Sequence, residues 1–174
     1  MSELIGSCFK LRSWQNGDEI TMLTYAKNPK VSAYLTNAFP SPYTAANARF
    51  WIDMQLQQQQ SSFNLALVIG EEVTGGIGID LQTDIYCKNA RMGYWLGEPF
   101  WGKGIMTEAV ALFTAYIFDS FEVMRIYAGV FGSNPASAKV LQKAGYQQEG
   151  NFKNSLFKNG LYDDEVIFAK HRPT

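Results

Sequence analysis

Gly93-Tyr94-Trp95-Leu96-Gly97-Glu98-Pro99-Phe100-Trp101-Gly102-Lys103-Gly104-Ile105-Met106-Thr107-Glu108-Ala109 is the stretch on which the reading of this chain turns. It leaves a strand, passes a glycine-bearing turn and enters a helix. From Gly104 onward, apolar residues fall at Ile105, Ala109, Leu112, Phe113, Tyr116 and Ile117, the spacing of one buried helical face. A turn of this kind suits phosphate. Gly102 and Gly104 remove side chains where an anion must approach the backbone, the first amides of the helix carry partial positive charge, and Lys103 adds a cation. Glycines at helix starts also arise for structural reasons alone, so a second signal is needed.

Two nucleotide-binding patterns are near misses. Gly97-x-x-x-x-Gly102-Lys103-Gly104 resembles a P-loop, but Gly104 replaces the hydroxyl that would ligate magnesium, and Pro99, Phe100 and Trp101 crowd the loop. A dinucleotide fingerprint would require a third glycine at Thr107.

Outward from that stretch, the chain reads as alternating short elements. Cys8 to Ser13 has strand period, and Asn16 and Asp18 are candidate caps for a helix to about Lys27. A short helical piece follows Pro29, and Thr44 caps a longer helix carrying Ala48, Trp51 and Ile52 that frays into glutamines 57 to 60. Residues 63–69 and 73–81 flank Gly70-Glu71-Glu72 as a hairpin, and 90–96 is a third strand of the same character. Beyond the long helix come a strand at 125–130, a helix opened by Asn134-Pro135 and closed near Gly145, and strands at 146–149 and 162–169 with a turn at Asn159-Gly160. Hairpins mixed with single crossovers predict one α+β sheet in a single domain over residues 1–174.

The bulk numbers narrow the function. The 174 residues are 47% hydrophobic and 14% aromatic, enough for one well-filled core. With 15 basic and 16 acidic residues the net charge is -1, so nothing global attracts nucleic acid or an anionic membrane. Cys8 and Cys87 lie far apart, without histidine or cysteine at metal-ligand spacing, which predicts reduced thiols and no metal site. The N-terminal residues lack a basic segment followed by an apolar one, and no apolar run reaches membrane-spanning length, so a cytoplasmic location is expected.

The second signal is Asn134-Pro-Ala-Ser137-Ala-Lys-Val-Leu141-Gln-Lys-Ala-Gly145-Tyr146, a capped helix returning into a strand. Together with the first stretch, the opening Lys10-Leu11-Arg12 with Asp18, Glu149-Gly150, and Asn159-Gly160-x-x-x-Asp164, it resembles the GNAT N-acetyltransferase superfamily over nearly the whole chain. Within that superfamily it is similar to the ribosomal-protein alanine and spermidine acetyltransferases. The resemblance implies a mixed, mostly antiparallel sheet of six or seven strands with about four helices, splayed between the strands at 90–96 and 125–130. It implies acetyl-CoA as co-substrate. Trp101, Gly102, Lys103, Gly104, Ile105, Met106 and Thr107 would wrap the pyrophosphate; main-chain groups of Trp95, Leu96 and Gly97, and Asn134, would meet the pantetheine arm. The superfamily pattern Gln/Arg-x-x-Gly-x-Gly/Ala is met here only at its central glycine, with Trp101 first and Met106 last, a side chain expected to crowd the amides.

Aminolysis of a thioester needs a neutral amine, an oxyanion site and a proton for the departing sulfur. The resemblance assigns the oxyanion to the N–H near Leu96. Many superfamily members place a tyrosine where this chain has Leu141; the similar branch uses the serine matching Ser137, which also reads as an ordinary first-turn serine. Alanine acetyltransferases carry a glutamate base where this chain has Leu156. Glu98 is therefore the candidate base, with Asp80 behind it, although both also read as solvated acids. Asp163-Asp164-Glu165 reads as a solvated edge strand rather than a metal site, and His171 as inert. A weak base favours an amine of low pKa, which points to a protein or peptide N-terminus. A small-molecule amine or polyamine acceptor, and a catalytically silent acyl-CoA-binding module, stay open. So do the oligomeric state, monomer or homodimer, and the choice between lining the acceptor pocket and filling core for Tyr34, Phe39 and Tyr43.

Overall fold

Strand β3 (Ser62–Ile69) sends Leu65 and Leu67 to one face of the sheet and Ala66 and Val68 to the other, and all four are buried. A strand covered on both faces must lie inside a layered sheet, so helices are required on each side. The computed structural model describes residues 3–57 and 61–173. Gly70, at φ 62°, turns the chain into β4 (Glu72–Leu81), the hairpin expected from the sequence.

The remaining strands are β1 (Leu4–Ile5), β2 (Lys10–Arg12), β5 (Asn89–Leu96), β6 (Arg125–Phe131), β7 (Gln147–Lys158) and β8 (Leu161–His171). They form one eight-stranded sheet in the order β1-β2-β3-β4-β5-β6-β8-β7, antiparallel throughout except for the parallel pair β5–β6. The strand beyond the expected count is β1, whose two residues are too few to display a period. The closing hairpin turns through Asn159 and Gly160, both left-handed, and inserts β8 between β6 and β7. The solvated edge is thus β7, and Asp163-Asp164-Glu165 lies on an interior strand, contrary to the sequence reading. Hairpin return placed the last strand against β6, a pairing that local pattern does not encode.

Helices α1 (Asp18–Ala26), α2 (Pro29–Ser32) and α3 (Ala45–Leu56) precede β3; α4 (Ile105–Ser120) and α5 (Pro135–Lys143) follow β5 and β6. α1 and α3 pack Met22, Ala26, Ala48 and Ile52 against Ala66, Val68 and Val73 on one face. α4 buries Ile105, Ala109, Phe113 and Ile117 against Leu65, Leu67, Ile77 and Ile79 on the other. Thr44 and Asn47 form a reciprocal capping box at α3, and the Asn134 side chain accepts from Ser137 N–H at α5. Gln57 ends α3; the expected fraying through glutamines 58 to 60 lies outside the described residues.

α1 departs from the expected capping. Its N-cap is Gly17, and Asp18 is instead buried, accepting from both Arg12 terminal nitrogens at 2.8 and 2.7 Å and from Gln15 N–H at 2.8 Å. A guanidinium fork matches a carboxylate better than helix amides do, and this pair fastens β2 to α1. The Asp18 hydrogen bond raises the Arg12 pKa. Asp18→Ala leaves that guanidinium unpaired at 11% side-chain exposure. It is expected to cost about 3 kcal/mol, read as a lower urea midpoint with unchanged slope; a loss under 1 kcal/mol would mean the pair behaves as a surface one.

Candidate active site

β5 and β6 pair at three positions only, Asn89 with Arg125, Ala90 with Ile126 and Arg91 with Tyr127. Beyond Arg91 the two strands part, which is the splay implied by the resemblance. Gly97 N–H donates to Thr74 O at 2.7 Å, so by alternation Trp95 also directs its main chain toward β4, while Tyr94 and Leu96 direct theirs into the opening. Leu96 C=O is already met by the Trp101 indole N–H at 2.7 Å, which leaves Leu96 N–H as the donor facing the gap. The Gly97 carbonyl accepts from Phe100 N–H, so the main chain of Gly97 is engaged within the fold.

Past the strand, Gly102 (φ 74°) and Gly104 (φ 79°) hold left-handed backbone, and a Cβ on either would meet nothing within 4 Å. Two such residues around Lys103 curl the chain into the start of α4. The first α-helical hydrogen bond of α4 runs from Glu108 N–H to Gly104 O, so the amides of Ile105, Met106 and Thr107 have no intrahelical acceptor. Gly102, Lys103 and Gly104 are exposed. Met106 is buried in the core at 6% exposure and does not crowd these amides as its bulk suggested. The Lys103 ammonium lies 5.7 Å from the Phe100 ring centre.

Ser137 sits on the first turn of α5, and its hydroxyl shares a 2.7 Å hydrogen bond with the Tyr94 phenol. Burial pushes the Tyr94 pKa up to about 12, with the Ser137 bond acting against it, so the phenol keeps its proton at neutral pH. Sequence reasoning missed Tyr94. Its position in the Gly-Tyr-Trp-Leu strand was the available signal, but only the packing of α5 brings Ser137 to it. Leu141, where other superfamily members carry tyrosine, is fully buried.

On the α1–α3 face lies a cavity of about 960 Å³. Tyr34, Phe39, Tyr43 and Trp95 line it, and Tyr43 also belongs to the buried α1–α3 core with Phe39 packed against it; the Phe39 ring centre lies 4.5 Å from that of Tyr43 and 5.7 Å from that of Trp95. Burial pushes the Tyr43 phenol up to about 12. Ser137, Asn134 and Leu156 reach the same space. Lys158 donates to Ser32 O at 2.6 Å and to Leu35 O, tying the last hairpin to the end of α2 across the cavity, and burial lowers its pKa.

The candidate base Glu98 is elsewhere. Its carboxylate is held by Lys30 and by Asn28 Nδ2 at 2.7 Å, and it borders a separate recess with Thr24, Tyr25 and Pro99. The Lys30 hydrogen bond, then that of Asn28, lowers its pKa. Glu98 is a structural ion-pair partner, because the turn at Glu98–Phe100 swings it toward α2 and away from Ser137. The cavity acids are Asp80, the second candidate, and Glu165, which was passed over. Neighbours of Glu165 go elsewhere: Asp163 accepts from Ser133, and Asp164 from Lys153 at 2.6 Å. His171 contacts Glu149 at 2.8 Å, outside the cavity. Among the described residues no three His, Cys, Asp or Glu side chains gather as a metal site would require, and no helix is long and apolar enough to cross a membrane. Cys8 and Cys87 are free and exposed.

A parted parallel strand pair, an amide cradle at a helix start and a cavity on the opposite face are the features of an acyl-CoA-dependent N-acyltransferase. Residues 9–147 match the family model described as acetyltransferase (GNAT) domain, and the chain belongs to that family. It is 30% identical over 97% of its length to the "Uncharacterized N-acetyltransferase p20" of Bacillus licheniformis, covering 96% of that protein. It is 41% identical over 86 residues to the "Probable N-acetyltransferase YjcK" of Bacillus subtilis, a match spanning 49% of this chain and about half, 48%, of that one. The fold superposes with a TM-score of 0.86 on a ribosomal L7/L12 alpha-N-protein acetyltransferase solved with coenzyme A, at 20% identity and covering 98% of both chains.

The cradle makes its own prediction. Gly104→Val forces a β-branched residue into left-handed backbone at about 1–2 kcal/mol, and acetyl-CoA affinity should fall about tenfold or more by calorimetry. Unchanged affinity would remove these amides from the site.

Proposed function

We propose that the chain, as one N-acetyltransferase domain over residues 1–174, moves the acetyl group of acetyl-CoA to a primary amine, with a protein or peptide N-terminal α-amine as favoured acceptor. The observation that carries this reading is the opening between β5 and β6, with helix-start amides that have no intrahelical acceptor beyond it and an aromatic cavity on the α1–α3 face. The open space at Gly102 and Gly104 fits a diphosphate, which a Cβ at either position would begin to fill. Trp101 N–H is taken by Glu98 O at 3.1 Å, contrary to the sequence expectation, so the amides from Gly102 to Thr107 hold that group, and the Leu96 N–H, the Trp95 and Gly97 flanks and Asn134 border the pantetheine path. Bound there, acetyl-CoA supplies an activated carbonyl.

The protein's own groups do the rest. Leu96 N–H stabilises the oxyanion, and Ser137, backed by the Tyr94 phenol, delivers a proton to the sulfur. A thiol of parent pKa about 8.5 leaves with little help, so Ser137→Ala is expected to lower kcat by about tenfold or less.

Acceptor choice follows from titration. At pH 7 an α-amine of pKa about 8 is roughly one-tenth neutral, whereas an amine near 10.4 is neutral a few times in about ten thousand. The same choice is in line with the alpha-N-protein acetyltransferase that shares this fold. Thiol release from acetyl-CoA, measured with free-N-terminus peptides, N-blocked lysine peptides and spermidine, is expected to favour the first by about a hundredfold in kcat/KM. Preference for lysine or spermidine would overturn the acceptor assignment; acetyl-CoA binding without turnover of any amine would identify a silent acyl-CoA-binding module.

A further inference from the structure

Across the cavity floor, one row of the sheet is stripped to backbone. Asn64 on β3 pairs with Gly78 on β4, and Gly78 pairs with Gly93 on β5. Continuing the β5–β6 register past its last pair, Arg91 with Tyr127, brings Gly129 of β6 level with Gly93 on the far side of the opening. Two polar side chains fold inward over this row. Asn64 Oδ1 lies 1.7 Å from where a Cβ on Gly78 would stand, and Glu165 Oε1 lies 2.1 Å from where a Cβ on Gly129 would stand. Any side chain at either glycine would displace its polar neighbour. Between them Gly93 has nothing within 4 Å of its own Cβ position. The result is a trough with a carboxylate at one end, a carboxamide at the other, and its open centre one residue from Tyr94, the partner of Ser137.

Resting on the acetyltransferase reading above, we propose that this trough seats the acceptor's primary amine and that Glu165 is the group that receives its protons. The position where related enzymes carry a glutamate holds Leu156 here, and Leu156 lines the same cavity. The carboxylate that the closing hairpin does offer to this cavity is Glu165, on the adjoining strand. An ammonium offers three donors and no acceptor, and the carboxylate at the β6 end of the trough supplies a matching acceptor. Glu165 Oε1 is 4.0 Å from the Arg91 guanidinium, which holds the carboxylate over Gly129 without a direct hydrogen bond that would use up its oxygen.

The protons balance. An alkylammonium carries two more protons on nitrogen than the amide product does. As the nitrogen lone pair forms the new N–C bond and the C–S bond breaks, one of them ends on the sulfur and one reaches water. Glu165 takes them from nitrogen, and Ser137 serves the sulfur.

Glu165→Gln keeps the shape and removes the charge. With an α-amine peptide as acceptor, kcat/KM is expected to fall about a hundredfold at pH 7, the usual scale for a positioned base, and to recover toward pH 9 as the free-amine fraction rises. Acetyl-CoA affinity by calorimetry stays at the wild-type value. The other titratable groups facing the cavity, Arg91, Asp80, Lys158 and the phenols of Tyr34, Tyr43 and Tyr94, are unaltered in this comparison. Adding Leu156→Glu to the Gln variant restores at least tenfold of the loss, which a purely structural role for Glu165 would not allow. If wild type acetylates the peptide and Glu165→Gln matches it at every pH, the assignment of Glu165 fails while the acetyltransferase reading stands. Failure of wild type itself to turn over any amine while binding acetyl-CoA overturns both.

Discussion

A parallel strand pair that stops after three residues leaves main-chain donors and acceptors facing each other across a gap inside a sheet. Such groups are costly when buried unmet, so the gap is tolerated only where water or a ligand chain supplies the missing partners. Everything else in this structure is arranged around that opening. β5 stays paired to β4 along its other edge through seven positions from Gly75 to Leu81, which keeps the open edge straight and rigid. The Trp101 indole closes one exposed carbonyl, at Leu96, and leaves the adjacent N–H. In this chain the side chain that begins the glycine turn thereby fastens the turn to the strand.

The two faces of the sheet then take different work. Under α4 the contacts are apolar, with Phe113 and Ile117 fully buried, so the helix that follows the glycine turn is anchored in the main core. The opposite face is built from short helices and a loop, held at the far rim by Lys158 on the carbonyls of Ser32 and Leu35. On the acetyltransferase reading proposed above, a helix start anchored in the main core and a cavity on the other face suit a reaction in which one substrate is constant and the other is selected by the cavity. Electrostatics separates the acids in the same way. Glu98 is paired with Lys30 outside the cavity, whereas Glu165 lies over Gly129 within it.

Several of these features were legible in one dimension because their physics is local. A buried helical face at Ile105, Ala109, Phe113 and Ile117, the Asn134-Pro135 start, the Thr44 cap and the Asn159-Gly160 turn each depend on residues within a turn or two. The splay was implied by resemblance rather than read from residues, since nothing local distinguishes a strand that pairs along its whole length from one that parts midway. Asp18 was misread as a cap because its true partner, Arg12, lies on the preceding strand. Glu98 was misjudged for a related reason: adjacency to the cofactor strand does not say which way a short 3-10 turn will carry a side chain.

What the amino-acid order determined alone is therefore most of the elements, β1 excepted, and the glycine turn into α4, where φ-permissive residues act within a few positions. Only the tertiary structure decided which hydroxyls meet, as Tyr94 and Ser137 do across 43 positions, and which carboxylate faces the cavity. Those outcomes depend on long-range strand order. Inserting β8 beside β6 carries Glu165 over Gly129 and brings the closing hairpin to the cavity, a pairing set by packing of the whole sheet.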